Sequence, residues 1–150
     1  MTSQSELVRQ SRRKVSELKH MLDKSPDSEM LQRMHSQADQ EHRELELAEH
    51  KDRVANYPSD LSRRFELGKR LFAMGQYQDA IEQFQESQHD PKNRATSQIM
   101  LGQSFQAIGW NEEAIDTFRQ ASDLKDLLPD TQMEIRYYLM TALQAKAETD

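Results

Sequence analysis

Residues 67–84, LGKRLFAMGQYQDAIEQF, and residues 101–118, LGQSFQAIGWNEEAIDTF, decide the fold of this chain. At an offset of 34 residues the two stretches carry the same Leu-Gly pair, the same later Gly, the same Ala-Ile pair and the same final Phe. Such a match at one fixed period is typical of stacked supersecondary units. The sequence therefore predicts at least two copies of one structural unit.

The residue pattern of each copy predicts two antiparallel helices joined by a tight turn. In the first copy, apolar residues recur with helical spacing over 61–74, and Gly75 ends that helix. The second helix is predicted over about 78–89, with Ala80 on its apolar side. Gly68 and Ala80 are small, which allows the two helix backbones to approach each other closely. The period-two alternation of a strand is absent, so the predicted class is all-α.

The two copies, 58–91 and 92–125, resemble tetratricopeptide repeats. The matching residues are Leu67, Gly68, Leu71, Gly75, Tyr77, Ala80, Phe84 and Ser87, and then Leu101, Gly102, Phe105, Gly109, Ala114, Phe118 and Ala121. The chain departs from the family pattern at Arg64 and Gln98, where Trp is frequent, and Pro91 comes one residue early. The resemblance implies an α-solenoid of tandem helix-turn-helix repeats.

A last helix is predicted over 131–147, as a partial third repeat or a capping helix. Ile135 matches Leu101 in register, but Arg136 stands where the earlier copies have Gly. This helix is apolar nearly all round, whereas the outer face of a cap is polar. We therefore expect either that the natural chain continues or that another surface covers this helix.

The N-terminal region, 1–57, is predicted to hold two helices, 5–23 and 26–56, ahead of a repeat domain over 58–150. Ser25 is expected to cap the second helix and Pro26 to occupy its first position. The boundary lies at Tyr57-Pro58, because a residue before proline disfavours helical geometry. The end of the second helix, with Leu47 and Val54, is in phase with the second helix of a preceding, degenerate repeat. The first helix has a narrow stripe typical of helix hairpins and short coiled coils, formed by Val8, Val15, Leu18 and Leu22.

Composition excludes several classes of function. The 150 residues include no cysteine, which excludes disulfide scaffolds and thiolate chemistry. The net charge is −6, and the repeat region is acidic, which argues against nucleic acid as the main partner. No segment has the apolar length of a signal peptide core or a membrane span, so we expect a cytoplasmic protein without membrane contact. One basic cluster could bind nucleic acid, but a solvated helix face is the favoured interpretation: Arg9, Arg12, Arg13 and Lys14.

Catalytic, cofactor-binding and metal-binding residues are not predicted. His35, His42 and His50 share one face of the long helix, but their spacing is too wide for a tight metal pair. An ordinary helix-surface contact between Glu46 and His50 is the expected alternative. The chain has neither a Gly-rich phosphate loop nor a nucleophile elbow. We therefore expect neither an enzyme nor a cofactor.

The family pattern places the binding surface on the first helix of each repeat, along a concave groove. The groove positions are Phe65, Lys69, Phe72, Ile99, Gln103, Gln106, Met133, Tyr137 and Met140. One branch of the family binds the terminal carboxylates of chaperone tails through Lys, Asn and Arg. Here most of those positions carry other residues, namely Phe65, Met100, Asp130 and Glu134, so we do not expect this chain to bind such tails although Lys69 remains.

Two functions stay open from the sequence. The first is a non-catalytic interaction module that holds a peptide or helix of a protein partner in the apolar groove. The alternative is an assembly element, a scaffold or homo-oligomer joined through the N-terminal helices and the exposed C-terminal helix. The apolar groove residues are predicted to be covered, either by such a partner or by the chain's own N-terminal segment folded back over them.

Overall fold

The structure, a computed structural model, describes all 150 residues and contains seven α-helices and no strand. The helices are α1 (Gln4–Lys24), α2 (Glu29–Asn56), α3 (Leu61–Ala73), α4 (Tyr77–Ser87), α5 (Arg94–Ala107), α6 (Asn111–Ser122) and α7 (Pro129–Thr149). The all-α prediction with tandem helix-turn-helix units is confirmed. The chain divides into two compact units, Met1–Ala55 and Asn56–Asp150.

In the first unit, side chains of α1 and α2 contact each other. The Ser11 hydroxyl lies 2.8 Å from Nδ1 of His42, and Arg12 and Lys14 reach carboxylates of α2, Glu46 at 3.7 Å and Glu41 at 4.0 Å. Apolar residues on both helices are buried, namely Val8, Leu18 and Ala38. The N-terminal segment thus pairs with α2.

The start of α2 differs from the prediction. The helix begins at Glu29, and the Ser28 hydroxyl accepts a hydrogen bond from the Leu31 N–H at 3.2 Å. Ser25 instead closes α1, since its N–H donates to the last carbonyls of that helix. Two serines three residues apart can each cap a helix, and the cap lies at the second because Pro26 falls within the turn between α1 and α2.

In the second unit, both repeats form the predicted helix pairs. Gly75 and Gly109 have φ of 75° and 82° at the turns, a left-handed conformation that glycine adopts without strain. The two other glycines permit close helix approach. A Cβ at Gly68 would lie 2.7 Å from Phe84, and a Cβ at Gly102 would lie 2.5 Å from Phe118.

The core of the second unit follows the repeat pattern. Ala80, Phe84, Ala114 and Phe118 have no exposed surface. The two repeats are joined by a buried hydrogen bond of 2.8 Å between the hydroxyls of Ser87 and Ser97, which lie at the end of α4 and in α5. Buried polar groups paired in this way also fix how the helices meet.

The helix α7 extends the repeat core. Ile135 and Ala142 are fully buried, and the Tyr138 ring stacks on Phe118 with centroids 5.7 Å apart. The helix begins two residues earlier than predicted because Pro129, which needs no N–H partner, occupies the first turn.

Candidate partner-binding groove

The nine predicted groove residues lie on the first helix of each repeat, but they differ in exposure. Each of α3, α5 and α7 contributes three of them. Those of α3 and α5 are buried or half-buried, whereas all three of α7 are exposed. Exposure therefore separates the predicted set into core residues, half-buried residues and an accessible apolar end.

Phe65 and Ile99 belong to the core, which corrects their predicted place on the groove surface. They are only 7% and 6% exposed. The Phe65 ring packs edge-on against Phe84, with centroids 6.4 Å apart, and Ile99 clusters with Ala121 and Ile135. Both side chains turn towards the second helix of their own repeat, so neither is available to a partner.

The half-buried groove residues are mostly engaged within the chain. Lys69 Nζ lies 3.1 Å from Glu66 and 4.7 Å from the centroid of the Phe65 ring. The Phe72 ring packs edge-on against Tyr77 at the start of α4. The side-chain amide of Gln106 donates to Thr141 Oγ1 at 3.2 Å, while Gln103 makes no hydrogen bond.

The carboxylate of Glu66 pairs with the two cations at this end of the groove, Lys69 and Arg70. Burial opposes its ionisation, but the hydrogen bonds and charges of the two cations outweigh burial and lower the pKa of Glu66 below its ordinary value. One carboxylate is thus shared between two cations, and the Lys69 ammonium is already engaged within its own helix.

Met133, Tyr137 and Met140 form the accessible apolar end of the groove. Their exposures are 67%, 59% and 53%, and their spacing of four and three residues places them on one face of α7. This face is opposite to the buried residues Ile135 and Ala142. We call these three residues the α7 groove face.

Comparison with known families agrees with this architecture. A family model described as a tetratricopeptide repeat matches residues 37–128. The chain belongs to the tetratricopeptide repeat family. The match begins inside α2, where Leu47 and His50 occupy the register positions of Ile81 and Phe84. A comparison with curated proteins found no match.

Tetratricopeptide repeats generally mediate protein–protein interaction and are typically non-catalytic. No group of three His, Asp or Glu side chains in the chain could hold a metal ion. His42 instead contacts Ser11 and Glu46, and His50 is buried. None of the seven helices combines the length and apolar character needed to cross a bilayer.

The basic cluster of α1 is largely compensated. Arg9 contacts Glu6 within its own helix, and Arg12 and Lys14 contact α2. Only Arg13 of the four has no ion pair. Three of these cations therefore lie near carboxylates of the first unit, while their side chains stay 66%, 65% and 61% exposed.

Sequence reasoning missed two features of the tetratricopeptide repeats. The first is the contact of Glu66 with both cations, although opposite charges three and four residues apart on a helix could have indicated it. The second is the buried Oε1 of Gln98, which has no hydrogen-bond partner. The departure from Trp at this position was visible in the sequence, but the missing partner depends on the packing around it.

Proposed function

We propose that the tetratricopeptide repeats hold a segment of a protein partner against the α7 groove face. The observation that carries this proposal is the exposure of Met133, Tyr137 and Met140 on one helix face. Contiguous exposed apolar side chains of this size are uncommon on soluble proteins unless they bind something. Methionine adapts its shape to a partner, and tyrosine provides a large contact area at low entropic cost.

The remainder of the groove supplies polar contacts. Gln103 has a free amide, which can pair with the backbone or a side chain of the bound segment. The Lys69 ammonium is engaged by Glu66, which also pairs with Arg70, so this end of the groove carries one net positive charge. A partner segment with apolar residues at α7 and polar groups towards α5 fits this arrangement, as an amphipathic helix or an extended peptide.

The N-terminal helical region, 1–57, and the repeat domain, 58–150, act as separate modules. Partner binding lies in the repeat domain alone. The N-terminal helices supply a second surface, which is a candidate for self-association.

The test removes two side chains of the α7 groove face. Tyr137→Ala combined with Met140→Ala should reduce the amount of partner captured from the source cell by the intact chain at least tenfold. Such truncations of interface anchors typically cost 1–2 kcal/mol or more in binding, by order of magnitude. The thermal stability should change little, since both side chains are more than half exposed.

The matched control is Leu7→Ala combined with Tyr57→Ala, which removes an aliphatic and an aromatic side chain that are exposed outside the groove. It should leave capture unchanged. Loss of most of the thermal stability in the Tyr137 and Met140 variant would instead assign these side chains to the core. Equal loss of capture in both variants would refute a specific groove.

Self-association is a second candidate function, favoured by one observation. Met21, Met30 and Met34 are exposed near the turn between α1 and α2. We infer that, if the chain assembles with itself, these methionines contribute to the contact. The mass of the intact chain in solution tests this: a dimer that Met30→Ala with Met34→Ala converts to a monomer supports assembly, and a monomeric intact chain refutes it.

A further inference from the structure

Glu134 of α7 lies in the same register as Glu66 of α3, two repeat periods earlier. In α3 the carboxylate of Glu66 pairs with Lys69 at 3.1 Å and also with Arg70. In α7 tyrosine stands at both of the positions that hold these cations. The carboxylate of Glu134 therefore occupies the place of Glu66 without the two cations that accompany it.

The helix around Glu134 supplies no other positive charge. Glu134 forms no ion pair, and its neighbours three and four residues away on the helix are Asp130, Thr131, Tyr137 and Tyr138. Like charges four residues apart repel each other on a helix, so Asp130 adds to the negative potential. Asp130 lies in the first turn, where the positive end of the helix stabilises a carboxylate. Glu134 lies one turn further and has no such compensation.

The exposure of Glu134 is a property of the groove side of the repeats. Glu134 is exposed, and the equivalent residues of α3 and α5, Glu66 and Met100, keep partial exposure. A second helix follows both α3 and α5, and it does not cover this side. The carboxylate of Glu134 therefore faces the groove, next to the residues of the α7 groove face.

The ring of Tyr137 makes this position more favourable for a cation. Tyr137 is 59% exposed and lies three residues after Glu134, on the same side of α7. An aromatic ring attracts a positive charge that lies over its face. The chain itself contains such an arrangement in α3, where the Lys69 ammonium lies 3.1 Å from Glu66 and 4.7 Å from the centroid of the Phe65 ring.

We propose that the partner segment bound by the α7 groove face carries an arginine or a lysine opposite Glu134, beside its apolar residues. This inference rests on the proposed function, because the apolar contact supplies most of the affinity and the cation selects among apolar segments. Arginine fits better than lysine, since its planar guanidinium can pair with the carboxylate and stack on the Tyr137 ring. A segment with a carboxylate at this point is repelled by Glu134 and Asp130.

The experiment selects short peptides from a phage-displayed random library with the intact chain. Peptides that also bind the variant with Tyr137→Ala and Met140→Ala are discarded, so that the remaining peptides depend on the α7 groove face. We expect these peptides to be enriched in arginine or lysine beside apolar residues. Selection with Glu134→Lys should lack this enrichment. The matched control is Glu82→Lys, which reverses an exposed carboxylate of α4 outside the groove and should keep it.

The selected peptide that binds most tightly then provides a measurement of affinity. Replacing its arginine by citrulline, or its lysine by acetyl-lysine, removes the charge and should weaken binding to the intact chain about tenfold in isothermal calorimetry. The same replacement should change the affinity for Glu134→Gln by less than about twofold, because no carboxylate is left to pair with the cation. Circular dichroism of each variant separates loss of binding from loss of folding.

The outcomes distinguish this inference from the proposed function. Groove-dependent peptides without a cation would overturn the inference and leave the proposed function standing. So would a loss on citrulline or acetyl-lysine replacement that is as large for Glu134→Gln as for the intact chain. Recovery of no peptide that depends on Tyr137 and Met140 would refute the proposed function, and the inference with it. A dimer of the intact chain that Glu134→Lys dissociates would also overturn the inference, because a second copy would then supply the cation.

Discussion

The two complete repeats agree where their helices touch and differ where the first helix faces outwards. Gly68 with Phe84 and Gly102 with Phe118 make the same contact at the same register. By contrast, the first repeat carries the charged residues Glu66 and Lys69 where the second carries Met100 and Gln103, and all four are half-buried. Helix packing therefore restricts the residues of one face, while the other face is free to differ in the groups it offers to a partner.

Truncation of the matched phenylalanines is the strongest test of this agreement. Phe84→Ala and Phe118→Ala should each lower the free energy of unfolding by about 3–5 kcal/mol, because each ring is fully buried. Phe118→Ala should cost more, since Phe118 also stacks on Tyr138 of α7. Urea unfolding of both variants measures this, and a cost below about 1 kcal/mol for either ring would contradict the shared register.

Enlargement of the small residues is expected to have the next largest effect. Ala80→Leu and Ala114→Leu should each destabilise the chain by about 1–3 kcal/mol, because both alanines lie at fully buried helix contacts. Ala147→Leu is the matched control on an exposed position of α7 and should change stability by less than about 0.5 kcal/mol. Unchanged denaturant midpoints for the two buried variants would show that Ala80 and Ala114 do not lie at close helix contacts.

Arg64 and Gln98 share one register position but differ in their hydrogen bonds. Arg64 donates to the Pro58 carbonyl at 2.7 Å and to Gln83 at 3.2 Å, whereas Oε1 of Gln98 is buried without a partner. We expect Gln98→Met to stabilise the chain by about 1 kcal/mol and Arg64→Met to destabilise it by about the same amount. Thermal unfolding would detect the opposite signs, and a destabilising Gln98→Met would mean that the amide oxygen is satisfied in solution.

The smallest expected effect is a pH dependence confined to the first repeat. Burial raises the pKa of Glu66, but the hydrogen bonds and positive charges of Lys69 and Arg70 lower it by more. The pKa of Glu66 therefore lies below 4.5. The ionised form thus stabilises the folded state above pH 4.5, and this contribution is lost as the pH falls through the lowered pKa.

Glu66→Gln should therefore reduce the loss of stability on acidification below pH 4.5. Its matched control is Met100→Gln at the same register of the second repeat, which should leave the pH slope unchanged. Denaturant unfolding at a series of pH values provides the comparison. An identical slope in wild type and Glu66→Gln would show that the contact with the two cations contributes nothing in solution.

The sequence predicted the helix pairs because their determinants are local and repeated. The turn glycines and the Gly–Phe contacts follow directly from residues that recur at one period. The burial of Phe65 and Ile99 was not predictable in this way. The family pattern assigns their position to the groove, but each side chain packs against residues of its own repeat, such as Phe84 and Ala121, and that depends on tertiary contacts.

Helix caps and ion pairs were also only partly predictable from the sequence. Ser25 and Ser28 are equivalent caps by composition, and the geometry of the turn selects the second. Lys69 is a family groove residue by register, yet its ammonium already pairs with Glu66, three residues before it on the same helix. The spacing of the residues gave the position of each side chain along its helix, whereas its partner depended on which neighbouring groups it could reach.

The unequal packing of α5 and α7 has a consequence for amide hydrogen exchange. Within the second unit, α5 contacts α3, α4, α6 and α7, whereas α7 contacts only α5 and α6. Local opening of α7 therefore breaks fewer contacts, and its amides should exchange with solvent before those of α5. A ligand that covers the α7 groove face should slow this exchange, so the protection of α7 amides would report binding before the ligand is identified.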